Sequence, residues 1–254
     1  GLQPHKCSYW LNTTEKDPAR FEAQVKTLCD TYLAAPLQER THGTHTVSVD
    51  EMTGVQALER IAPPKAMIAK QCELIEFEYT RHGTLCLIAN LVVTTGELLR
   101  PTIGPTRTET DFASHIEQTV AVDAEGPWVF VVDNLNIHCS ESLVELVAEA
   151  CEIPTDLGKK GVRGVLKSVA SRQKFLSDAS HRIRFVYTPK HSSWLNQIEV
   201  IFGVIMRKVI RRGSFRSVDD LRTKLLNFIT YFNRVFAKPF RWTYTGRPLM
   251  QAAA

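Results

Sequence analysis

Two aspartates in this sequence each follow a short apolar, β-branched run: Asp50 in Val47-Ser48-Val49-Asp50-Glu51-Met52 and Asp133 in Phe130-Val131-Val132-Asp133-Asn134. Both read as strand ends, where sites collect in open α/β sheets. Taken alone, each also reads as an aspartate capping a turn. A third acid, Glu199, borders the stripe Leu195, Ile198, Phe202, Ile205, Val209, which recurs at helical spacing. Its neighbours three and four residues away are Leu195, Asn196, Phe202 and Gly203, so no Lys or Arg on the helix pairs with it. A carboxylate on an apolar border needs a neutralising partner, either a metal ion or an Arg from another element. Carboxylates on two strand ends and one helix suit Mg2+, which takes oxygen ligands and keeps several waters. Two such ions about 4 Å apart activate the attacking oxygen and stabilise the leaving oxygen of an in-line displacement. In this reading Asp50 bridges both ions, while Asp133 and Glu199 each hold one.

Other residues are placed to assist. His138 follows Asp133 by five residues and could orient water or a phosphate, or simply cap the next helix; Asn134 and Asn136 could support the metal shell. Lys190 and His191 stand on a turn before Glu199, within reach of a phosphate. Arg207, Lys208, Arg211 and Arg212 cluster at one helix end. Cations there complement the helix dipole in any case, and they also suit phosphate contacts.

The elements that must position these residues follow from periodicity and punctuation. Asp17-Pro18 reads as an N-cap and first helical residue, with Phe21, Val25, Leu28 and Tyr32 carrying a helix to about residue 35 and a polar link over 36–44. Strands are expected at Thr44–Val49, at Glu73–Tyr79 and Leu85–Val93 flanking a turn at Arg81-His82-Gly83, and from Leu98, as an antiparallel meander. Thr108 opens a helix with Asp111 completing a capping box. Trp128–Val132 is continuously apolar, a central strand covered on both faces. A helix starting at Ser140 or Ser142 follows, then a basic, weakly periodic stretch over 152–180 that reads as an insertion or flexible arm. Ile183–Tyr187 is a strand. One helix runs from near Ser193 to a C′ residue at Gly213, and a last one starts after Ser217. Strands in a run and then in alternation with helices fit a mixed sheet with helices on both faces, the order of a ribonuclease H-like fold.

The chain has 254 residues, 44% hydrophobic and 23% charged, the balance of a globular domain. No apolar run is long enough to span a membrane, and no secretory signal opens the chain. The first residues, Gly-Leu-Gln, suggest a piece of a longer protein or a lost initiator Met. Six cysteines without a C-x-x-C pair argue against structural zinc and for reduced thiols in the cytoplasm. The net charge of +4 divides unevenly: residues 1–158 carry 11 Lys+Arg and 23 Asp+Glu (−12), residues 159–254 carry 20 and 4 (+16). A basic C-terminal third points to a polyanion, most simply nucleic acid.

The segments around Asp50 and Asp133 and the run Tyr187-Thr-Pro-Lys-His-Ser-Ser-Trp-Leu-Asn-Gln-Ile-Glu199 resemble mariner-type transposases, above all their prokaryotic insertion-sequence branch. Arg212-Gly-Ser-Phe and Ala237-Lys-Pro-Phe-Arg-Trp-Thr resemble it too. The resemblance implies a DDE endonuclease and strand transferase, with Asp50, Asp133 and Glu199 as its acids and Mg2+ or Mn2+, two ions per site, as cofactor. It implies double-stranded DNA as substrate, with element ends cut and joined at a TA target, a homodimer assembled on DNA, and a nucleoid-associated cytoplasmic location. Members carry a helix-turn-helix region before this domain, so residues 1–40 read as the tail of the connection to it and 41–254 as the catalytic domain. The 65 residues between Asp133 and Glu199 are about twice the common spacing, and the arm at 152–180 accounts for the excess. A non-cutting, transposase-derived DNA-binding or regulatory protein is the alternative reading, and a nuclease without strand transfer is a third.

Overall fold

The computed structural model describes residues 18–69 and 72–244. A helix, α1 (Pro18–His42), leads into three strands, β1 (His45–Arg60), β2 (Tyr79–Val92) and β3 (Leu98–Gly104). Then come α2 (Glu109–Val120), β4 (Trp128–Val132), α3 (Glu141–Ala150), α4 (Val169–Leu176), β5 (Ile183–Tyr187), α5 (Ile198–Ile205) and α6 (Val218–Val235). The sheet order is β3-β2-β1-β4-β5, antiparallel over β1–β3 and parallel where β4 joins β1 and β5. This is the mixed ribonuclease H-like sheet the element order predicts.

Alternation along the strands sends side chains to two opposed layers. Val47, Val49, Phe130, Val132 and Phe185 pack under α2 and α3 with Phe112, Ile116, Leu143 and Val147. On the other face Val129, Val131 and Val186 meet α1 through Val25, Leu28 and Tyr32. There too Met52, Leu87, Ala89 and Leu91 meet α5 and α6 through Ile198, Phe202 and Leu225. The caps are where the sequence puts them. Thr108 and Asp111 form a capping box, and Ser140 and Ser217 accept from Leu143 N and Asp220 N. Asp17 and Cys7 lie outside the described residues. Cys29, Cys86 and Cys139 are buried, Cys151 is half-buried and Cys72 is exposed.

Several boundaries differ from the sequence reading. Helix α1 runs through the expected polar link to His42. β1 does not stop at Asp50 but continues to Arg60, through two irregularities in its pairing with β2. Residues 73–78 form no strand, only a Lys65–Leu74 bridge, while Arg81–Gly83 lies inside β2 instead of turning. The apolar residues of 73–78, Leu74, Ile75 and Phe77, are exposed, so they have no packed layer to face and the apolar pattern there marks no strand. The expected single helix from Ser193 to Gly213 is a short turn at Ser193–Leu195, then α5, then a π-helical turn at Met206–Ile210. Gly213 does not take a left-handed C′ conformation. A Cβ there would collide with the Phe215 ring and with Val209 O, so it is close approach that requires glycine. The segment 152–180 is no flexible arm. Leu166 and Leu176 are packed into the core, and buried Arg172 donates to Cys139 O (2.6 Å) and Leu166 O (3.1 Å). Among the described residues no helix is long and apolar enough to cross a membrane.

One buried group ties this packing to pH. His115 on α2 is fully buried, shares a 2.7 Å hydrogen bond with Thr102 Oγ1, and leaves its Nε2 unpartnered. Burial pushes its pKa down to about 3. The unfolded chain takes up this proton near pH 6.5 and the native state does not, so stability is lost as pH falls from about 6.5 toward 3. At pH 5 the loss from this residue amounts to about 2 kcal/mol. His115→Gln should therefore show a shallower fall in urea-unfolding stability between about pH 7 and 5 than the parent chain; parallel curves would refute the assignment.

Candidate metal centre

The parallel register between β1 and β4 pairs Ser48 with Val131. Continued two residues past that pair, the same register points Asp50 and Asp133 to the sheet face that carries α1 and α5, and the charge of Asp133 is felt at Asp50. Glu51, one residue along β1, faces the α2–α3 layer instead. Asp50 is 7% exposed. Its Oδ1 accepts from Glu51 N (2.8 Å) and its Oδ2 from Asn196 Nδ2 (3.2 Å). Burial first, and then the charge of Asp133, push its pKa up to about 7.

Asp133 stands just past the last residue of β4. Its Oδ1 accepts from Leu135 N (2.8 Å) and pairs with His138 Nδ1 (2.7 Å). Oδ2 stays outside these bonds. Burial works to raise the Asp133 pKa, but the hydrogen bond and charge of His138 outweigh it and hold the carboxyl below its usual range. His138 is completely buried, and its other nitrogen pairs with Glu51 Oε1 at 2.9 Å. Desolvation opposes its charge, yet the two carboxylates prevail and lift its pKa to about 10. Asp50, Glu51 and His138 offer donor atoms within 4.8 Å of one another, a grouping of the kind that holds metals. An imidazole with both nitrogens committed to carboxylates has no lone pair left for a metal. We therefore read His138 as a built-in cation that orients Asp133, a position different from the cap of the next helix, which is Ser140.

Glu199 opens α5 and is exposed, whereas Ile198, Ile201, Phe202 and Ile205 form the buried face. The apolar stripe thus belongs to its neighbours. Burial, and then the charge of Asp133, still raise its pKa, so it shares the neighbourhood of the two aspartates. What places it is Asn196, fully buried, which donates from Nδ2 to Val49 O (2.9 Å) and to Asp50, while its Oδ1 accepts from Ser48 Oγ. Ser48 Oγ in turn accepts from Ile198 N at 3.0 Å, and Tyr32 OH bonds Leu195 O and Gln197 N. The first turn of α5 is thereby bolted to the strand that carries Asp50.

The remaining sequence candidates separate into two groups. Asp133, Asn134, Lys190 and His191 line one cavity of about 380 Å³, at a turn where His191 takes a left-handed backbone (φ 61°). Asn134 bonds Thr188 O and accepts from Gln173 Nε2 (3.2 Å). Asn136 is exposed and opens the short turn to Cys139. Arg207, Lys208, Arg211 and Arg212 do not line that cavity. They line an open groove of about 840 Å³ with Arg60, Ile75, Glu76 and Phe77. Sequence reasoning misses Glu51, Ser48 and Asn196. Only the neighbour relation of Asn196 to Glu199 is visible there, and nothing local tells a clamp from a helix cap.

The match to the model for the DDE superfamily endonuclease covers residues 45–222, and the chain belongs to this family. Among solved structures it resembles the Mos1 mariner paired-end complex with Mn, at TM-score 0.52 and 11% identity over 90% of this chain and 59% of that one. The pre-cleavage Mos1 transpososome is similar, at TM-score 0.51 and 11% identity over 91% of this chain and 60% of that one. At such identity the likeness is one of fold, and the chain spans about 59% of the length of the Mos1 protein it matches. Among curated protein sequences none matches this chain.

The clamp gives a stability test. Asn196→Ala leaves Ser48 Oγ without its acceptor and Val49 O without its donor in a sealed site, which should cost about 1–3 kcal/mol in urea unfolding. A loss below about 0.5 kcal/mol would mean that α5 is held by its apolar face alone.

Proposed function

We propose that the chain is the catalytic core of a mariner-type DNA transposase of the insertion-sequence branch, cutting transposon ends and joining them to target DNA. The observation that carries this reading is the register that sets Asp50 beside Asp133 on the face to which Asn196 bolts the start of α5, with Glu199 one turn on. The donor set fits divalent cations. Asp133 raises the pKa of both Asp50 and Glu199 through its charge, and a cation among them relieves that repulsion. Asp50, Asp133 and Glu199 would hold two Mg2+ or Mn2+ ions, which when bound supply activation of the attacking oxygen and stabilisation of the leaving one. The protein's own part is orientation: His138 and Leu135 N occupy Asp133 Oδ1 and leave Oδ2 to ligate, while Asn196 fixes Asp50 against Glu199.

The substrate in this reading is double-stranded DNA, cut at element ends and joined at a TA target by a homodimer assembled on the ends, at the nucleoid in the cytoplasm. Lys190 and His191 would meet phosphates at the Asp133 cavity. Arg207, Lys208, Arg211 and Arg212, none of which pairs with a carboxylate among the described residues, would track the duplex along their own groove.

Cleavage of a labelled element end in Mn2+ tests the chemistry. Asp50→Asn, Asp133→Asn and Glu199→Gln should each lower the rate at least about a thousandfold, the loss expected when several kcal/mol of charge stabilisation go. Asp50→Asn should meanwhile raise the melting temperature, because it removes a buried charge from the field of Asp133. Undiminished cutting by these variants would sink the assignment, and release of 3′-hydroxyl ends without joining would reduce the protein to a nuclease. For the groove, replacing Arg211 and Arg212 by Gln should flatten the slope of log affinity against log salt by about two. An unaltered slope would place the duplex elsewhere.

A further inference from the structure

A second cavity adjoins the carboxylate cluster at the free edge of the sheet. It measures about 420 Å³ and lies between α1, the edge strand β5 and α4, with Gln24, Thr27, Gln173, Lys174, Arg184 and Asn134 among its walls. Asn134 is also a wall of the cavity that holds Asp133, so the two spaces share a side chain. No carboxylate lines this second cavity among the described residues. Its polar walls are cations, amides and hydroxyls, a lining suited to an anion.

Arg184 is the unusual group. It is half-buried in β5, and no hydrogen bond, ion pair or ring contact satisfies it among the described residues. Burial alone depresses its pKa, with no partner to offset the loss of water. The two nearby arginines behave differently. Arg172 donates to Cys139 O and Leu166 O, and Arg182 donates to Gly126 O (3.0 Å) and Ala150 O (2.7 Å). Arg184 also borders a groove that contains Asp30, but that carboxylate is bonded to Lys26 at 2.6 Å. A desolvated guanidinium without a counter-charge weakens the fold. A planar fork of donors in such a place matches a phosphate.

We propose that Arg184 and Lys174 form a phosphate-binding subsite that takes a backbone phosphate of the DNA strand as it leaves the Asp133 cavity past Asn134. This rests on the reading of the site as a DNA-processing centre. It also gives the stretch 152–180 a part in binding, since Gln173 braces Asn134 by a 3.2 Å hydrogen bond and α4 supplies Lys174. The inserted stretch is then one wall of the substrate path.

The test uses the whole chain in EDTA, so that binding is read without cutting. Arg184→Met, Arg184→Lys and Lys174→Gln are compared for duplex affinity by fluorescence anisotropy and for melting with and without inorganic phosphate. Arg184→Met should raise the melting temperature of the free protein, because an unpaired half-buried charge becomes an apolar stem. It should also weaken duplex binding about tenfold and reduce the salt slope by about one. Arg184→Lys should retain part of the affinity, and Lys174→Gln, at an exposed position that cannot threaten the fold, should weaken binding in the same direction. Unchanged duplex affinity in Arg184→Met and Lys174→Gln overturns the proposal, and if phosphate still protects the parent chain from melting, the pocket serves a free anion instead of a strand. A lower melting temperature in Arg184→Met, with Lys174→Gln silent, assigns Arg184 a structural role and also overturns it. Competition by an acidic peptide at the concentration effective for DNA assigns the edge strand to a protein partner, again against the proposal. A chain that binds duplex through Arg184 but fails to cut in Mn2+ leaves the subsite standing and removes only the transposase reading.

Discussion

Four carboxylates meet at one end of this sheet, and the protein supplies a cation for only half of them. Asp133 and Glu51 share the imidazolium of His138, at 2.7 and 2.9 Å, in a fully buried position. Asp50 is not hydrogen-bonded to that imidazolium, though its charge reaches Asp50, and Glu199 has no cationic partner among the described residues; both feel the charge of Asp133. The two faces of the sheet are thus treated differently. On the α2–α3 side Glu51 is sealed in between His138 and Arg107, the latter 4.0 Å from its Oε2, with Phe112 against the His138 ring at 4.4 Å. On the α5 side negative charge is left in excess: amide donors from Asn196 and the Glu51 backbone and the nearby His138 charge favour ionised Asp50, but burial and Asp133 outweigh them. Packing alone would favour apolar residues at such positions, so this arrangement costs stability that the rest of the core must offset. In the proposed reading, a site that takes cations from outside is the physical reason for keeping it.

The supporting structure follows from that imbalance. Unneutralised carboxylates repel, and repulsion must be resisted by elements that cannot drift apart. Asp50 is held inside a strand paired on both sides, Asp133 by the turn that His138 and Leu135 N close, and Glu199 by the buried Asn196–Ser48–Tyr32 clamp. Even the turn beyond Asp133 is braced, by Tyr187 OH on His138 O (2.8 Å) and by Arg172 on Cys139 O. The segment 152–180 therefore shapes the site's floor as well as its edge.

How much of this can be read from the sequence depends on how local each cause is. Caps at Thr108, Ser140 and Ser217 are written in three or four consecutive residues, and they are legible. So is β4, whose five apolar residues have no other use than a strand covered on both faces. Asp50 and Asp133 are recognisable, but for Asp50 the strand-end argument fails: the strand continues to Arg60, and what brings Asp50 near Asp133 is the pairing of β1 with β4. Register is a long-range quantity. Glu51 and Asn196 escape for the same reason, since their partners are 87 and 147 residues away. Glu199 stands out through an apolar stripe that belongs to the other side of its helix. Its resemblance to the Asn-x-Ile-Glu pattern is the sounder ground, because that pattern contains the clamp.

The division of charge along the chain takes on a spatial meaning in the fold. The acidic first part contributes β1 and β4 with their carboxylates, and the basic last part contributes the turns and helix ends around them. Lys190 and His191 border the Asp133 cavity, Lys174 and Arg184 the adjoining one, and Arg207 to Arg212 a third surface beyond. An anionic polymer approaching bare carboxylates meets repulsion, which falls off over about a Debye length, roughly 8–10 Å in physiological salt. In the proposed reading, these cations around the acids would hold the polymer without neutralising the groups that keep their charge for metal. His138 is the exception that fits the rule, because its charge is taken up by Glu51 and one oxygen of Asp133, leaving the other oxygen anionic. In the proposed reading, the fold separates the charge that binds the strand from the charge that collects the metal.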